Sequence, residues 1–374
     1  MKWKFDCRFF RGDKPCRYKR ICEESDKEEC PRYKPRGKKI LIIKLAAIGD
    51  VLRTTPVLSA LKKKYPLSYL TWLSEEKSLP LLENNPFIDC LLPYNLSSCL
   101  QLQVEKFDLL LSLDKDPGGA ALATLVRAKK KQGFGWGESG TVHPLNKEAE
   151  PAFRLGLDDE LKFRKNRKTY QETIFELAGL PYRGEEYLLN LPEEDRDYAR
   201  RFFKREGIRK SELVIGLNTG AGAVFLTKKW SESGFAELAG RLSTKLGARL
   251  LLLGGKSEKE LNRRIARRAK VPLIDTGPDN TLLQFTALID SCSLIVTGDT
   301  LALHLAIARK VPAVAIFSSP CPQEIDLYGR GKKLISPVDC APCYRNSCPE
   351  MTCMKKITPA KVFRAVEEIV TRTG

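Results

Sequence analysis

One feature constrains this chain more than any other: at least four times, a short apolar run ends at small or polar residues and passes into a segment spaced for a helix. Residues 40–43 (Ile-Leu-Ile-Ile) make the first run, suited to a strand buried on both faces of a parallel sheet. Val51, Thr55, Leu58 and Leu61 then fall at helical spacing, which puts Gly49 and Asp50 at a strand-to-helix junction. Pro56 is expected to kink that helix. The pattern returns at 213–218 before Thr219-Gly220-Ala221-Gly222, at 249–253 before Gly254-Gly255, and at 294–296 before Thr297-Gly298-Asp299-Thr300. Such alternation builds parallel sheets whose ligands bind at the carboxyl ends of the strands.

Further strands are expected at 69–73, 109–113 and 314–317, and helices at 120–131, 170–178, 193–207, 230–246, 301–308 and 360–371. Residues 134–170 read as a polar, Gly-rich loop region. A length of 374 residues suits two cores rather than one. The expected architecture is therefore α/β: two Rossmann-like domains facing each other across a cleft. Its parts are a Cys-rich basic arm over 1–39, an N-terminal domain over 40–190, a linker helix over 191–212 and a C-terminal domain over 213–374.

Apolar residues at 43% and charged residues at 29% exclude the disordered and fibrous classes. No run approaches 18 apolar residues, and the first eleven residues carry charges where a signal peptide needs an apolar core. The expectation is a cytoplasmic protein that neither spans a membrane nor is secreted. A formal net charge of +18 implies an anionic partner, and a phosphorylated substrate or an anionic membrane surface both qualify. Nucleic acid is disfavoured, because no RNP aromatics, C2H2 spacing or helix-turn-helix signal accompanies the charge.

The twelve cysteines cluster. Cys7, Cys16, Cys22 and Cys30 lie in the arm, which holds 14 Lys/Arg against seven Asp/Glu, and Cys340, Cys343, Cys348 and Cys353 lie near the other end. The second quartet reads C-x2-C-x4-C-x4-C, compact enough for tetrahedral thiolate coordination of structural zinc or iron. The alternative is free thiols or, in an oxidising setting, disulfides. Neither quartet contains histidine or an open ligand position, so a metal here would staple loops rather than catalyse.

Two nucleotide motifs are incomplete. Gly220-Ala221-Gly222 has Phe225 where a dinucleotide fingerprint needs glycine, and Gly255-Lys256-Ser257 has Leu250 where a P-loop begins with glycine.

Three ordered segments carry a resemblance: residues 40–56 (ILIIKLAAIGDVLRTTP), residues 218–230 with Lys228-Lys229-Trp230, and residues 297–304 (TGDTLALH). Together they resemble glycosyltransferase family 9, the bacterial lipopolysaccharide heptosyltransferases, over residues 40 to about 370. The resemblance implies a GT-B fold, with acceptor on the first domain and nucleotide sugar on the second. It further implies inverting, metal-independent transfer of heptose from ADP-heptose or a similar donor to an anionic inner-core lipopolysaccharide precursor. The enzyme would then work at the inner face of the inner membrane. Two departures stand out. Leu301 occupies a position where many members have glycine after Asp-Thr, and the quartets are foreign to the best-known members, although a protein-heptosylating branch carries four-Cys iron sites. Transfer to a protein hydroxyl is thus the alternative reading.

Inverting transfer needs a base for the acceptor hydroxyl and positive charge for the departing diphosphate. Asp50 matches the family's base; the bland alternative is a helix cap. Lys228 matches its diphosphate lysine, with Lys229 beside it, against the alternative of a solvated basic pair. Asp299, Thr300 and Leu301 open a helix whose N–H groups favour phosphate. Thr219, Gly220 and Glu258 are further candidates for the donor, Glu258 as a ribose acceptor. His304 is placed with the donor set, though a satisfied core histidine is the favoured reading of its position, and Lys44 and Arg53 are candidates for an acidic acceptor or a phosphate.

Overall fold

Lys39–Ile43 (β1) is buried from its second residue onward and lies in the middle of the first of two sheets. The computed structural model describes residues 3–16, 18, 30, 32–222, 225–318, 321–343 and 345–373. The first sheet comprises Tyr69–Ser74 (β2), Cys90–Pro93 (β3), Lys106–Ser112 (β4), Arg127–Trp136 (β5) and Val142–Pro144 (β6), in the order β3-β2-β1-β4-β5-β6. All pairings are parallel except β5 with β6. Leu41, Ile43, Leu73, Phe107 and Leu110 centre one apolar core on this sheet, closed by Leu122 and Val126. The helix Ile48–Thr54 stops before Pro56, and the proline opens a second helix, Pro56–Lys64, rather than kinking one. At the first position its missing N–H costs nothing.

The second sheet comprises Val214–Asn218 (β7), Arg249–Leu253 (β8), Ile274–Asp275 (β9), Leu294–Gly298 (β10), Ala313–Phe317 (β11) and Gly331–Ile335 (β12). It is wholly parallel, in the order β12-β11-β10-β7-β8-β9. The helices Glu232–Leu246 and Pro359–Thr373 pack on it through Phe235, Leu238, Leu242, Val362 and Val366. Ser231 caps the first of them, and Gly247 closes it with φ of 62°.

Contacts divide the described residues into two units. Those up to Ala47, with Thr54–Arg154 and Glu172–Glu185, form one; Ile48–Arg53, Leu155–Gln171 and those from Glu186 onward form the other. The charged helix expected as a linker spans Glu193–Arg205 and belongs to the second unit, where Ala199 and Phe202 are buried. Among the described residues no helix is long and apolar enough to cross a membrane.

Two expectations are corrected. The helix placed at 120–131 is Pro117–Leu125; Val126 ends it, and the Lys129–Lys131 run belongs to β5. The strand is hard to read because its first half turns Arg127, Lys129 and Lys130 to solvent, which looks like a charged helix face. The Gly-rich stretch from residue 134 is likewise strand as far as Trp136, and β6 and three short helical segments lie in the remainder of the supposed loop. Gly133 permits the pairing with β4: its φ is 104°, and a Cβ there would stand 1.8 Å from the Ser112 carbonyl oxygen. Gly133→Ala should therefore destabilise the fold by about 2 kcal/mol or more. Urea denaturation measures this, and an unchanged midpoint would show that the strand is not held as described.

Candidate active site

In the second sheet β7 and β10 are neighbours although β8 and β9 intervene in sequence, so the chain reverses its path across the sheet between them. Strand-end loops diverge at such a point and leave a crevice. Asn218 ends β7, and its side-chain amide donates to Thr297 Oγ1 at 3.0 Å and Thr300 Oγ1 at 3.1 Å. The two strand ends are thus tied by one residue. Thr300 precedes the helix Leu301–Ala308, yet its hydroxyl faces Asn218 and Thr297 instead of capping that helix. Among the described residues no side chain caps that helix: Leu303 N donates to the Thr300 carbonyl at 3.1 Å, and the N–H groups of half-buried Leu301 and of Ala302 head the turn.

Lys228 ends the short turn Leu226–Lys228 and places Nζ 2.7 Å from Asp299 Oδ2. Burial alone would raise the Asp299 carboxyl, but Lys228 foremost, with His304 and Arg53, holds it below the usual value. The lysine's turn leans on the cysteine-rich loop: Thr227 Oγ1 donates to the Arg345 carbonyl at 2.6 Å and Leu226 N to the Asn346 carbonyl at 2.9 Å. Ser318 Oγ donates to the Thr227 carbonyl from the other side. Lys229 is half-buried and makes no ion pair among the described residues.

Around β8 the donor candidates are partly spent on structure. Glu258 accepts from Gly255 N and Ser257 Oγ, both at 3.0 Å, and so closes the turn after the strand. Its carboxylate abuts Gly220, where a Cβ would lie 2.9 Å from Oε1. The buried Thr219 hydroxyl donates to Asn262 Oδ1 at 2.6 Å.

Asp50 is the third residue of the helix Ile48–Thr54, with its side chain 40% exposed. Arg53, one turn on, approaches it at 3.5 Å, donates to the Glu324 carbonyl at 2.9 Å and stacks on the Tyr170 ring at 3.8 Å. Gln171 holds the Arg53 carbonyl from below. Burial works against this guanidinium's charge, but Tyr187, Asp50, Tyr170 and Glu324 raise its pKa overall. The guanidinium is thus enclosed, with its closest hydrogen bond to the Glu324 carbonyl and a longer contact to Asp50. Gly49 is needed here, because a Cβ would stand 2.7 Å from the His304 ring. His304 is buried, lies 4.0 Å from Asp299 Oδ1 and faces Tyr187, whose hydroxyl is 3.5 Å from Nδ1. Burial first, then Arg53, lowers its pKa to about 4, so the ring is neutral at neutral pH.

The second unit therefore gathers Asp50, Arg53, Lys228, Asp299, Thr300 and His304 around the end of β10, and it leaves Lys44 in the first unit. Lys44 is buried, with its ammonium on the Ala46 carbonyl at 2.7 Å and on Asp114 at 3.3 Å, and in this arrangement it ties the β1 and β4 ends together. Cys340, Cys343, Cys348 and Cys353 line one cavity of about 330 Å³ with Phe163 and Arg164. Four thiols suit a thiophilic metal. Among the described residues, however, no three His, Cys, Asp or Glu side chains stand close enough to hold one, and the cysteines are free thiols. Cys7 and Cys16 are buried and Cys30 half-buried in the arm; Cys22 lies outside the described residues. Sequence reading missed Asn218, Tyr187 and Glu324. Only Asn218 carried a signal, as a polar residue closing an apolar strand.

In the second unit a cation, a carboxylate and a helix N-terminus thus meet at a strand-order reversal, an arrangement that suits a phosphorylated ligand. The model of glycosyltransferase family 9 (heptosyltransferase) matches residues 97–354, and the chain belongs to that family. It is 24% identical over 319 residues to the lipopolysaccharide core heptosyltransferase OpsX of Haemophilus influenzae, covering 82% of this chain and 86% of that one. A family 9 glycosyltransferase from Veillonella parvula superposes with a TM-score of 0.72 at 21% identity, covering 90% of this chain and 98% of the other. The dodecameric iron-containing heptosyltransferase TibC, solved with ADP-D-β-D-heptose, gives 0.57 at 12% identity, covering 91% and 78%. The GT-B fold is common to them.

The His304 environment fixes a pH response. The unfolded chain takes up this proton near 6.5, the folded one only near 4, so the unfolded state binds more protons in between and His304 destabilises the fold as pH falls through that window. His304→Gln should flatten that part of the stability profile. By NMR, the ring, one of two in the chain beside His143, should titrate with a midpoint near 4; a midpoint near 6.5 would show it solvated.

Proposed function

We propose that the protein transfers heptose from ADP-heptose to an inner-core lipopolysaccharide-type acceptor with inversion at the anomeric carbon. The observation that carries this reading is the Lys228–Asp299 pair at the β7/β10 reversal, beside the first turn of Leu301–Ala308. Lys228 and those N–H groups take the diphosphate, and Asp299, released from its lysine, accepts sugar hydroxyls. Asp50 accepts the acceptor's hydroxyl proton as that oxygen attacks the anomeric carbon; the bond to the ADP oxygen breaks, and ADP leaves with its charge met by Lys228. Arg53 holds Asp50 in place, and neutral His304 packs between the Asp50 helix and Asp299 without adding a competing charge. The basic surface holds the enzyme at the anionic cytoplasmic leaflet.

Asp50→Asn keeps the side chain's shape but removes the proton acceptor, so turnover should fall 10²–10⁴-fold, roughly the scale of lost acid–base catalysis, with ADP affinity nearly unchanged. Lys228→Ala should weaken ADP binding and turnover together. Transfer assays with ADP titrations separate the two. Near-normal turnover in Asp50→Asn, with lowered thermal stability, would reduce the residue to a helix cap.

The thiol-lined cavity supports a second proposal: Cys340, Cys343, Cys348 and Cys353, which share that cavity but, as described above, stand too far apart to coordinate, would draw together on a structural zinc or iron and stiffen the loop behind Lys228. Elemental analysis of the purified protein should find about one metal per chain, lost together with thermal stability in Cys343→Ser. Absence of metal, or thiols paired as disulfides, would remove the site.

A further inference from the structure

The N-terminal arm lies outside the segment matched by the family model, and it builds a cavity of its own. Its attachment is specific. Arg8 N donates to the Lys34 carbonyl, Arg36 N to the Asp6 carbonyl, and Cys7 bridges to Pro35, so the two ends of the arm pair with each other. The Arg8 guanidinium then fastens the arm to the body through the Leu67 and Ser68 carbonyls and Asp89, the last at 3.1 Å. The result covers β3, which is the edge strand of the first sheet.

Between the arm and that edge lies a cavity of about 640 Å³. Among the described residues, Arg8, Arg11, Lys14 and Lys34 line it against one acidic group, Asp89. Asp89 is already matched twice, by Arg8 and by Lys62 at 3.0 Å. Arg11, Lys14 and Lys34 form no ion pair among the described residues, so within that set three cations face one concavity with no acidic partner of their own. The charge of Arg11 reaches the wall: burial raises the Cys90 thiol, and Arg11 is the main influence opposing that rise. The remaining lining is apolar or aromatic, from Phe9, Tyr69, Ile88 and Leu91.

Like charges do not gather in a hollow for stability, because their mutual repulsion opposes folding. Unmatched cations beside aromatic faces suit a ligand with a dense negative charge on one side and a sugar-like face on the other. We infer that this cavity binds the phosphate monoester of a phosphorylated saccharide, with Arg11, Lys14 and Lys34 on the phosphate and the rings of Phe9 and Tyr69 against the sugar. The site is separate from the donor residues of the second unit and does not depend on the reading of their chemistry.

The experiment uses the full chain and the triple variant Arg11→Gln/Lys14→Gln/Lys34→Gln, whose altered side chains are all exposed in the native fold. Calorimetric titration with glucose 1-phosphate, with glucose as the uncharged control, tests a soluble ligand. Co-sedimentation with vesicles of phosphatidic acid in phosphatidylcholine, against phosphatidylcholine alone, tests a lipid headgroup. The wild type should bind glucose 1-phosphate but not glucose, and the triple variant should bind it at least tenfold more weakly, with unchanged thermal midpoint and ADP affinity. A parallel loss of vesicle binding assigns the phosphate to a lipid-linked source; a loss confined to glucose 1-phosphate assigns it to a soluble one. Equal binding by the variant to both probes, or no binding of either by the wild type, overturns the site.

Discussion

The ion pair between Lys228 and Asp299, 2.7 Å long and largely buried, is the contact on which the site's electrostatics turn. It matches the Lys228 ammonium with a carboxylate and holds the Asp299 carboxyl below its usual value, although burial alone would raise it. In the proposed reaction, a diphosphate entering beside the first turn of Leu301–Ala308 would compete for the same ammonium. Under the proposed function the pair is a stand-in that the donor displaces, with the cation already in place. Its support comes from three directions: Asn218 ties the strand ends, Ser318 holds the Thr227 carbonyl, and the cysteine-rich loop accepts the Thr227 hydroxyl.

Asp50 depends on a different set of constraints. Gly49 brings its helix against His304 at a distance no side chain allows, and Arg53 is fixed by Glu324, Tyr170 and Gln171 before it meets Asp50. With His304 neutral, the charges near Asp50 and Asp299 are supplied by Arg53 and Lys228 alone among these residues. An aspartate that is exposed at its tip and held from behind can accept a proton without losing its orientation.

The strands that bear the site were legible because each is a short apolar run closed by a polar or glycine residue, as at 40–43, 213–218 and 294–298. The same rule failed at β5, whose solvent-facing lysines imitate a helix, and at β3 and β9, which are too short to show a period. Asp50, Lys228 and Asp299 were legible through ordered motifs. Tyr187 and Glu324 were not, since what places them against Arg53 is tertiary packing rather than local spacing. Lys44 shows the converse: a strand-end lysine reads as a ligand contact, and only the fold reveals Asp114 waiting beside it.

The central claim is an attack by an acceptor hydroxyl, deprotonated by Asp50, on the face of the sugar opposite the departing diphosphate. The anomeric configuration of the product tests it most directly. With ADP-D-β-D-heptose as donor, the one-bond carbon–proton coupling at the transferred anomeric centre should report an α linkage. A β linkage would mean retention, and would contradict a single displacement with Asp50 as base.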